Sequence, residues 1–246
     1  MFNRRAVIQF LLLSLATLLS LVLFAGCGNK TLIMGTSADY PPYEFKEQSG
    51  EIVGFDIDIA QAIAEELGFQ LEIQDMDFNS LLPALEAGKV DFVMAGMSPT
   101  PERQEIADFT QLYYKAESIV LARKGNILET PEALSGKKIG VQAGSIQAEA
   151  AGKIEGVELM EMDKIGEIIQ GVKEQTLDAA VIESTVAQQY VQANPDLDFS
   201  VNFETDSSGS AIALPKNSSY TDSFNQVLEQ MKENGKIEEL IQKWFS

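Results

Sequence analysis

"LLPALEAGKVDFVMAG" (residues 81–96) decides the fold class. It reads as an aliphatic helix, a short turn, an aspartate and a buried strand. The same order recurs in "IIQGVKEQTLDAAVIE" (168–183). Five residues beyond Asp91 stands Gly96, and five beyond Asp178 stands Glu183. Two comparable strand ends therefore occur in two halves of the chain. Two readings stay open: generic helix–strand similarity, which α/β units share, or two similar lobes.

Working outward, short β-rich runs alternate with helical patterns. The expected strands are "TLIMGTS" (31–37), "LEIQDM" (71–76), "DFVMAGM" (91–97), "SIVLARK" (118–124), "KKIGVQAG" (137–144), "VELMEMD" (157–163), "DAAVIES" (178–184) and "SAIALPK" (210–216). "DIDIAQAIAEELG" reads as a helix capped by Asp56, with Ile59, Ala60, Ile63 and Leu67 on one apolar face and Gly68 at its end. "SLLPALEAG" and "IGEIIQGVKEQ" look similar, and the tail reads as two helices broken at Asn234-Gly235. Such alternation predicts α/β architecture with mostly parallel sheets. Ligands of open α/β sheets sit beyond the carboxyl ends of strands. Those ends carry Ser37 to Tyr40, Gly96 to Ser98, Gly144 to Gln147, and Glu183.

"AGMSPTPERQ" (95–104) poses an electrostatic question. Thr100-Pro101 is a helix start, with a capping hydroxyl followed by proline at the first helical position. Arg103 then falls in the first turn, where the helix dipole disfavours a cation by a few tenths of a kcal/mol. Either it is a surface arginine paired with Glu102 or Asp108, or helix end and guanidinium together await an anion.

Lys plus Arg number 18 against 37 Asp plus Glu, a net charge of −19 over 246 residues. An acidic surface of this size excludes nucleic acid and electrostatic binding to anionic lipid. The chain has no histidine and one cysteine, which removes the usual zinc sites and the histidine-based triads. Paired carboxylates remain available as catalysts. Asp56/Asp58 and Asp75/Asp77 are too few oxygens for a hard-metal site, so neither metal nor cofactor is expected. The Met160/Met162 alternation is one strand face.

Arg4 and Arg5 precede an apolar run from Ala6 to Ala25, and "FAGC" then sets two small residues before Cys27. The stretch resembles a lipoprotein signal, with Phe24 in place of the usual leucine. It implies that residues 1–26 are a signal peptide, that Cys27 becomes a lipidated N-terminus of the palmitate-bearing kind, and that 27–29 form a linker. A run this long also has the length to span a bilayer uncut. Either way the globular part lies on the extracytoplasmic face of the cell membrane, tethered to it, and a single modified cysteine explains an exported chain without a disulfide.

"TSADYPPYEF", "GFDIDIAQAIAEELG", "MDFNSLLPALEAGKVDFVMAGMSPTPERQEIADFTQLYY", "GVQAGS" and "ENGKIEELIQKWF" together resemble the polar amino-acid-binding proteins of ABC importers, solute-binding family 3. The resemblance runs from about residue 30 to the C-terminus, with the motifs in family order. It implies a two-lobe periplasmic-binding-protein-like fold (type II) with two hinge crossovers near "KAES" (115–118) and "SSGSA" (207–211). Lobe one is expected at 30–116 plus 210–246 and lobe two at 117–209. The resemblance also implies a monomer that takes a polar amino acid and docks on a permease.

By the same resemblance, Arg103 holds the ligand α-carboxylate, Ser98 and the Gly96 backbone also bond the ligand, and Met97 falls within that ligand-binding stretch. Ser145 opens a helix, so its N–H reaches the same carboxylate, and Ile146 is its neighbour in the site. Glu183 matches the acid that takes the α-ammonium, where most relatives carry aspartate. Tyr40 and Phe78 match the aromatic pair flanking the ligand side chain, although core packing is the ordinary fate of aromatics. Their faces suit a guanidinium, worth about 0.5–2 kcal/mol, and also a carboxamide. Ser37 stands where several relatives carry a ligand-contacting aspartate. Asp39, two residues on, either substitutes on the same strand face or caps the loop. Gln142 and Gln147 are further candidates for the distal group. Arginine or another basic amino acid ranks first and glutamine second. The rival classes are a carboxylate-assisted dehydratase of cyclic hydroxy acids, with Glu183 or Asp39 as general acid, and a sensor or adhesin on the same scaffold.

Overall fold

The computed structural model describes residues 30–126, 128, 130–205 and 209–246. The leader, Cys27 and residues 207 and 208 of the expected second crossover lie outside them.

Along the chain the strands are β1 (Thr31–Thr36), β2 (Asp39–Tyr40), β3 (Glu44–Lys46), β4 (Ile52–Val53), β5 (Gln70–Asp75), β6 (Phe92–Val93) and β7 (Ala107–Phe109). They continue as β8 (Ser118–Arg123), β9 (Lys138–Gln142), β10 (Glu158–Met162), β11 (Ala179–Glu183), β12 (Leu197–Phe203) and β13 (Ala213–Pro215). One sheet has the order β5-β1-β6-β13-β7 and a second the order β10-β9-β11-β8-β12. A small antiparallel sheet, β2-β3-β4, sits beside the first.

The repeated pattern is a real structural echo. Asp91 accepts a bond from Ile33 N at 2.8 Å, and Asp178 accepts one from Lys138 N at 2.8 Å. Each aspartate thus ties the entry of its strand to the neighbouring parallel strand, β6 to β1 and β11 to β9. An aliphatic helix precedes each, Leu81–Glu86 and Ile165–Lys173.

The helix-linked strands pair in parallel within each sheet: β5, β1 and β6 in one, β10, β9 and β11 in the other. The four strands next to the crossovers, β7, β8, β12 and β13, pair antiparallel. In each sheet one strand thus runs against all the others, β13 in the first and β8 in the second. The two crossovers run side by side, joined by Tyr113 N to Ser210 O and Ser210 N to Tyr114 O, each 2.9 Å.

Helix Phe55–Leu67 buries Ile59, Ala60 and Ile63 and ends at Gly68, left-handed at φ 71°, as the pattern predicts. Its start differs. Asp56 does not cap it; the N-cap is Gly54, and the first amides are taken by backbone, Phe55 N by Pro42 O and Asp56 N by Tyr43 O. That frees the Asp56 side chain to point inward. A Cβ on Gly54 (φ 142°) would lie 2.1 Å from Tyr43 O. Gly54→Ala is therefore expected to cost at least about 1–3 kcal/mol in a urea melt; an unchanged midpoint contradicts the close approach.

The strand expected over 91–97 shortens to Phe92–Val93, and the chain turns left-handed further on at Gly96, φ 56°. The helix Ser184–Ala193 and strand β12 carry no strong period and were not anticipated; nor were the two- and three-residue strands of the small sheet. The tail forms helices Thr221–Glu233 and Lys236–Phe245, separated at Gly235.

Candidate functional site

A cavity lies between the lobes. The first lobe lines it with Tyr40, Phe78, Gly96, Ser98 and Arg103, the second with Ser118, Gln142, Ser145, Ile146, Gln147 and Glu183. Ala116, Gly209 and Ser210 of the crossovers complete the wall.

Arg103 lies in the helix Pro101–Ile106, whose cap Thr100 accepts its backbone N–H at 3.3 Å. Its guanidinium donates to Ser98 O at 2.8 Å and, across the cleft, to Gly144 O at 2.9 Å. Phe78 lies beneath it, 5.3 Å from ring centroid to guanidinium carbon. The surface-pair reading fails: Asp108 is engaged by Lys216 and Asn217, and no carboxylate among the described residues pairs with Arg103. Burial pushes its pKa down to about 10, with Glu149 and Glu102 opposing only through space. A half-buried cation whose side-chain hydrogen bonds go only to carbonyls is set up to receive an anion.

Glu183 ends β11 and caps the helix Ser184–Ala193. Oε1 accepts from Thr185 N at 2.8 Å and Ser184 Oγ at 3.0 Å; Oε2 accepts from Thr185 Oγ1 at 2.6 Å and Val186 N at 3.2 Å. Burial raises its pKa, and these bonds oppose the rise. Four donors fill the four acceptor positions of a carboxylate. Two of them are hydroxyls, which can swivel away.

Gly96 N donates to Asp56 Oδ2 at 2.9 Å, so only its carbonyl is left to face a ligand. A Cβ there would stand 3.2 Å from the Tyr40 ring. Burial, then the Glu183 charge, raise the Tyr40 phenol well above its ordinary range. Ser145 caps the helix Ile146–Gly152 through its hydroxyl, which accepts from Ala148 N at 3.1 Å. The Ser145 amide already donates to Gln142 O at 3.1 Å, which corrects the expectation that this N–H serves a ligand. Gln147 Nε2 donates to Ser118 Oγ at 3.0 Å, whereas Gln142 Nε2 is buried with no partner among the described residues.

Three expected residues stay out of the lining. Met97 packs into the apolar core with Phe78 and Leu81. Ser37 is fully buried and donates to Asp39 Oδ1 at 3.2 Å. Asp39 does not face the cavity: its Oδ2 accepts the Ile165 amide of the opposite lobe at 2.7 Å. Conversely, Ser118 lines the site unforeseen. The rule of carboxyl strand ends misses it because β8 runs antiparallel to β11, which sets Ser118 at the start of its strand directly opposite Glu183. No group of three or more Cys, Asp or Glu placed to hold a metal occurs among the described residues.

Comparison with known proteins gives the family and the fold. The family model for bacterial extracellular solute-binding proteins, family 3, matches residues 32–246. The arginine-binding extracellular protein ArtP of Bacillus subtilis (strain 168) is 44% identical over 224 residues, covering 89% of this chain and 88% of that protein. An ancestral arginine-binding protein bound to arginine superposes with TM-score 0.85 at 38% identity, over 89% of this chain and 99% of its own. Its glutamine-bound form gives TM-score 0.84 with the same identity and coverage. The chain belongs to family 3 of the bacterial extracellular solute-binding proteins, with their two-lobed type II fold.

Proposed function

We propose that this protein captures an α-amino acid with a polar side chain, arginine first and glutamine second, and delivers it to an ABC permease by closing its lobes. The carrying observation is a guanidinium from one lobe and a carboxylate from the other lining a single cavity. Arg103 takes the ligand carboxylate as a forked pair. Glu183 and the Gly96 carbonyl take the ammonium, which displaces the Ser184 or Thr185 hydroxyl. Ser98 and the Ser145 hydroxyl complete the carboxylate end. The distal group meets Tyr40, Phe78, Gln142 and Gln147. Those neutral groups accept either a guanidinium or a carboxamide, and the ring faces favour the cation. The names of the relatives support the same ranking.

In this reading lobe one comprises 30–116 plus 210–246 and lobe two 117–209, and a monomer is held at the extracytoplasmic membrane face by lipidated Cys27 after loss of residues 1–26. No catalysis is assigned. A general acid needs a proton to give, and Glu183 accepts four hydrogen bonds where that proton would sit.

The test is a thermal-shift panel of the standard amino acids on residues 28–246. A ligand at 100 times its dissociation constant adds about 2.7 kcal/mol, which raises the melting temperature of a chain this size by about 5–10 °C. Arginine is expected to give the largest rise. A flat panel, or turnover of a cyclic hydroxy acid, overturns the assignment.

A further inference from the structure

Outside the cavity, three contacts cross between the lobes at one place. Asp39 Oδ2 accepts from Ile165 N at 2.7 Å, Lys164 Nζ pairs with Asp77 Oδ1 at 2.8 Å, and Asn79 Nδ2 reaches Asp163 Oδ1 at 3.4 Å. On the second lobe these are consecutive residues, 163 to 165, leading into the nine-residue helix Ile165–Lys173. On the first lobe they bracket the two rings of the cavity: Asp39 precedes Tyr40, and Asp77 and Asn79 flank Phe78.

The helix end makes the arrangement informative. The first amides of a helix have no partner within it and need an outside acceptor. The N-cap residue here is Lys164, whose side chain makes no cap bond. The Ile165 amide finds its acceptor only on the opposite lobe. A carboxylate at that end also meets the positive pole of the helix. The bond exists only while the lobes are together.

We propose that the turn Asp163–Ile165 is a clasp for the closed form, with Asp39 and Lys164 as positioning residues that tie the lobes together beside the cavity without touching the ligand. The inference rests on the amino-acid-binding reading above. It assigns Asp39 a role different from that of the ligand-contacting aspartate expected near this position. Because the clasp acts on closure alone, it multiplies the affinity of every ligand by the same factor and acts through the dissociation rate.

The experiment measures arginine and glutamine binding to the wild-type chain and to Asp39→Ala, Asp39→Asn and Lys164→Met by calorimetry and stopped flow. Asp39→Ala is expected to weaken both ligands equally, by about tenfold or more, as for loss of a hydrogen bond to a charged group. Asp39→Asn keeps an acceptor and recovers part of the loss. Lys164→Met, removing a half-exposed pair, weakens both by up to about fivefold. An altered arginine-to-glutamine ratio overturns the proposal, because it means that Asp39 touches the ligand; so does unchanged affinity in both Asp39→Ala and Lys164→Met. If Asp39→Ala fails to fold, the Lys164 variant decides. If the wild-type chain binds neither amino acid, the functional reading fails by itself. The clasp is then judged by hydrogen exchange at the Ile165 amide: slower in wild type than in Asp39→Asn supports it, and equal rates refute it.

Discussion

Arg103→Ala is expected to lower amino-acid affinity by about 2–5 kcal/mol, the usual cost of removing one partner from a desolvated charge pair. That corresponds to about thirty- to several-thousand-fold in dissociation constant. The loss is this large because nothing else among the described residues lining the cavity carries positive charge. The ligand carboxylate would be left in a half-buried site with only hydroxyls and amides. Arg103→Lys should recover little. A point charge cannot hold Ser98 O and Gly144 O while presenting a fork to the ligand, nor stack on Phe78 as a plane. The ligand-free protein should behave oppositely. Burial already works against the Arg103 charge, so Arg103→Ala should melt at the wild-type temperature or above it. Calorimetry and thermal melts check the two halves separately. Affinity within about twofold of wild type would remove Arg103 from the site.

That residue also shows how much was legible in the sequence. The pattern Thr100-Pro101 set the helix start, and the misplaced cation within its first turn left two readings open, a surface pair or an awaited anion. The aspartates at 91 and 178 made two similar lobes one of two open readings, and the structure bears the echo out because each performs a local task, tying one strand to the next. Gly68 and Gly235 marked helix ends for a similar reason, since left-handed backbone is a property of the residue itself. What escaped depends on partners far along the chain. Asp39 looked like a ligand contact or a loop cap and instead caps a helix 126 positions away. Ser118 is placed by antiparallel pairing with Glu183, which no local period reveals. Glu183 was visible as an acid at a strand end, but its four bonds to its own helix required knowing that a helix follows at once.

Asp56 is the largest of these omissions, and it carries the second large effect. Read as a helix cap, it is instead fully buried, accepting from Gly96 N at 2.9 Å and Tyr113 Oη at 2.8 Å. One carboxylate thus fixes both the left-handed turn in the cavity wall and the tyrosine whose backbone bonds the second crossover. Asp56→Ala strands two buried donors, at about 1–3 kcal/mol each, and is expected to cost about 2–6 kcal/mol of stability in a urea melt. Glu44 lies against it, fully buried, and three of the four carboxyl oxygens of the pair lack any other partner among the described residues. Two acceptor-only groups cannot satisfy one another, so a proton must sit between them. Burial, and for Glu44 the Asp56 charge, raise both pKa values, that of Asp56 to about 7 from its ordinary 3.8. A carboxyl raised on folding binds its proton more tightly in the native state. Its stabilising contribution is complete below pH 3.8 and is lost as pH climbs through about 7. Glu44→Gln supplies a permanent donor to Asp56 and removes one titrating partner. Its melting temperature should therefore gain on wild type from pH 5 to about pH 7, whereas parallel curves across that range would mean that no proton is shared. Since Asp56 also holds Gly96, Asp56→Asn should weaken ligand binding where Glu44→Gln does not, because only the former weakens or loses the bond that sets the cavity wall.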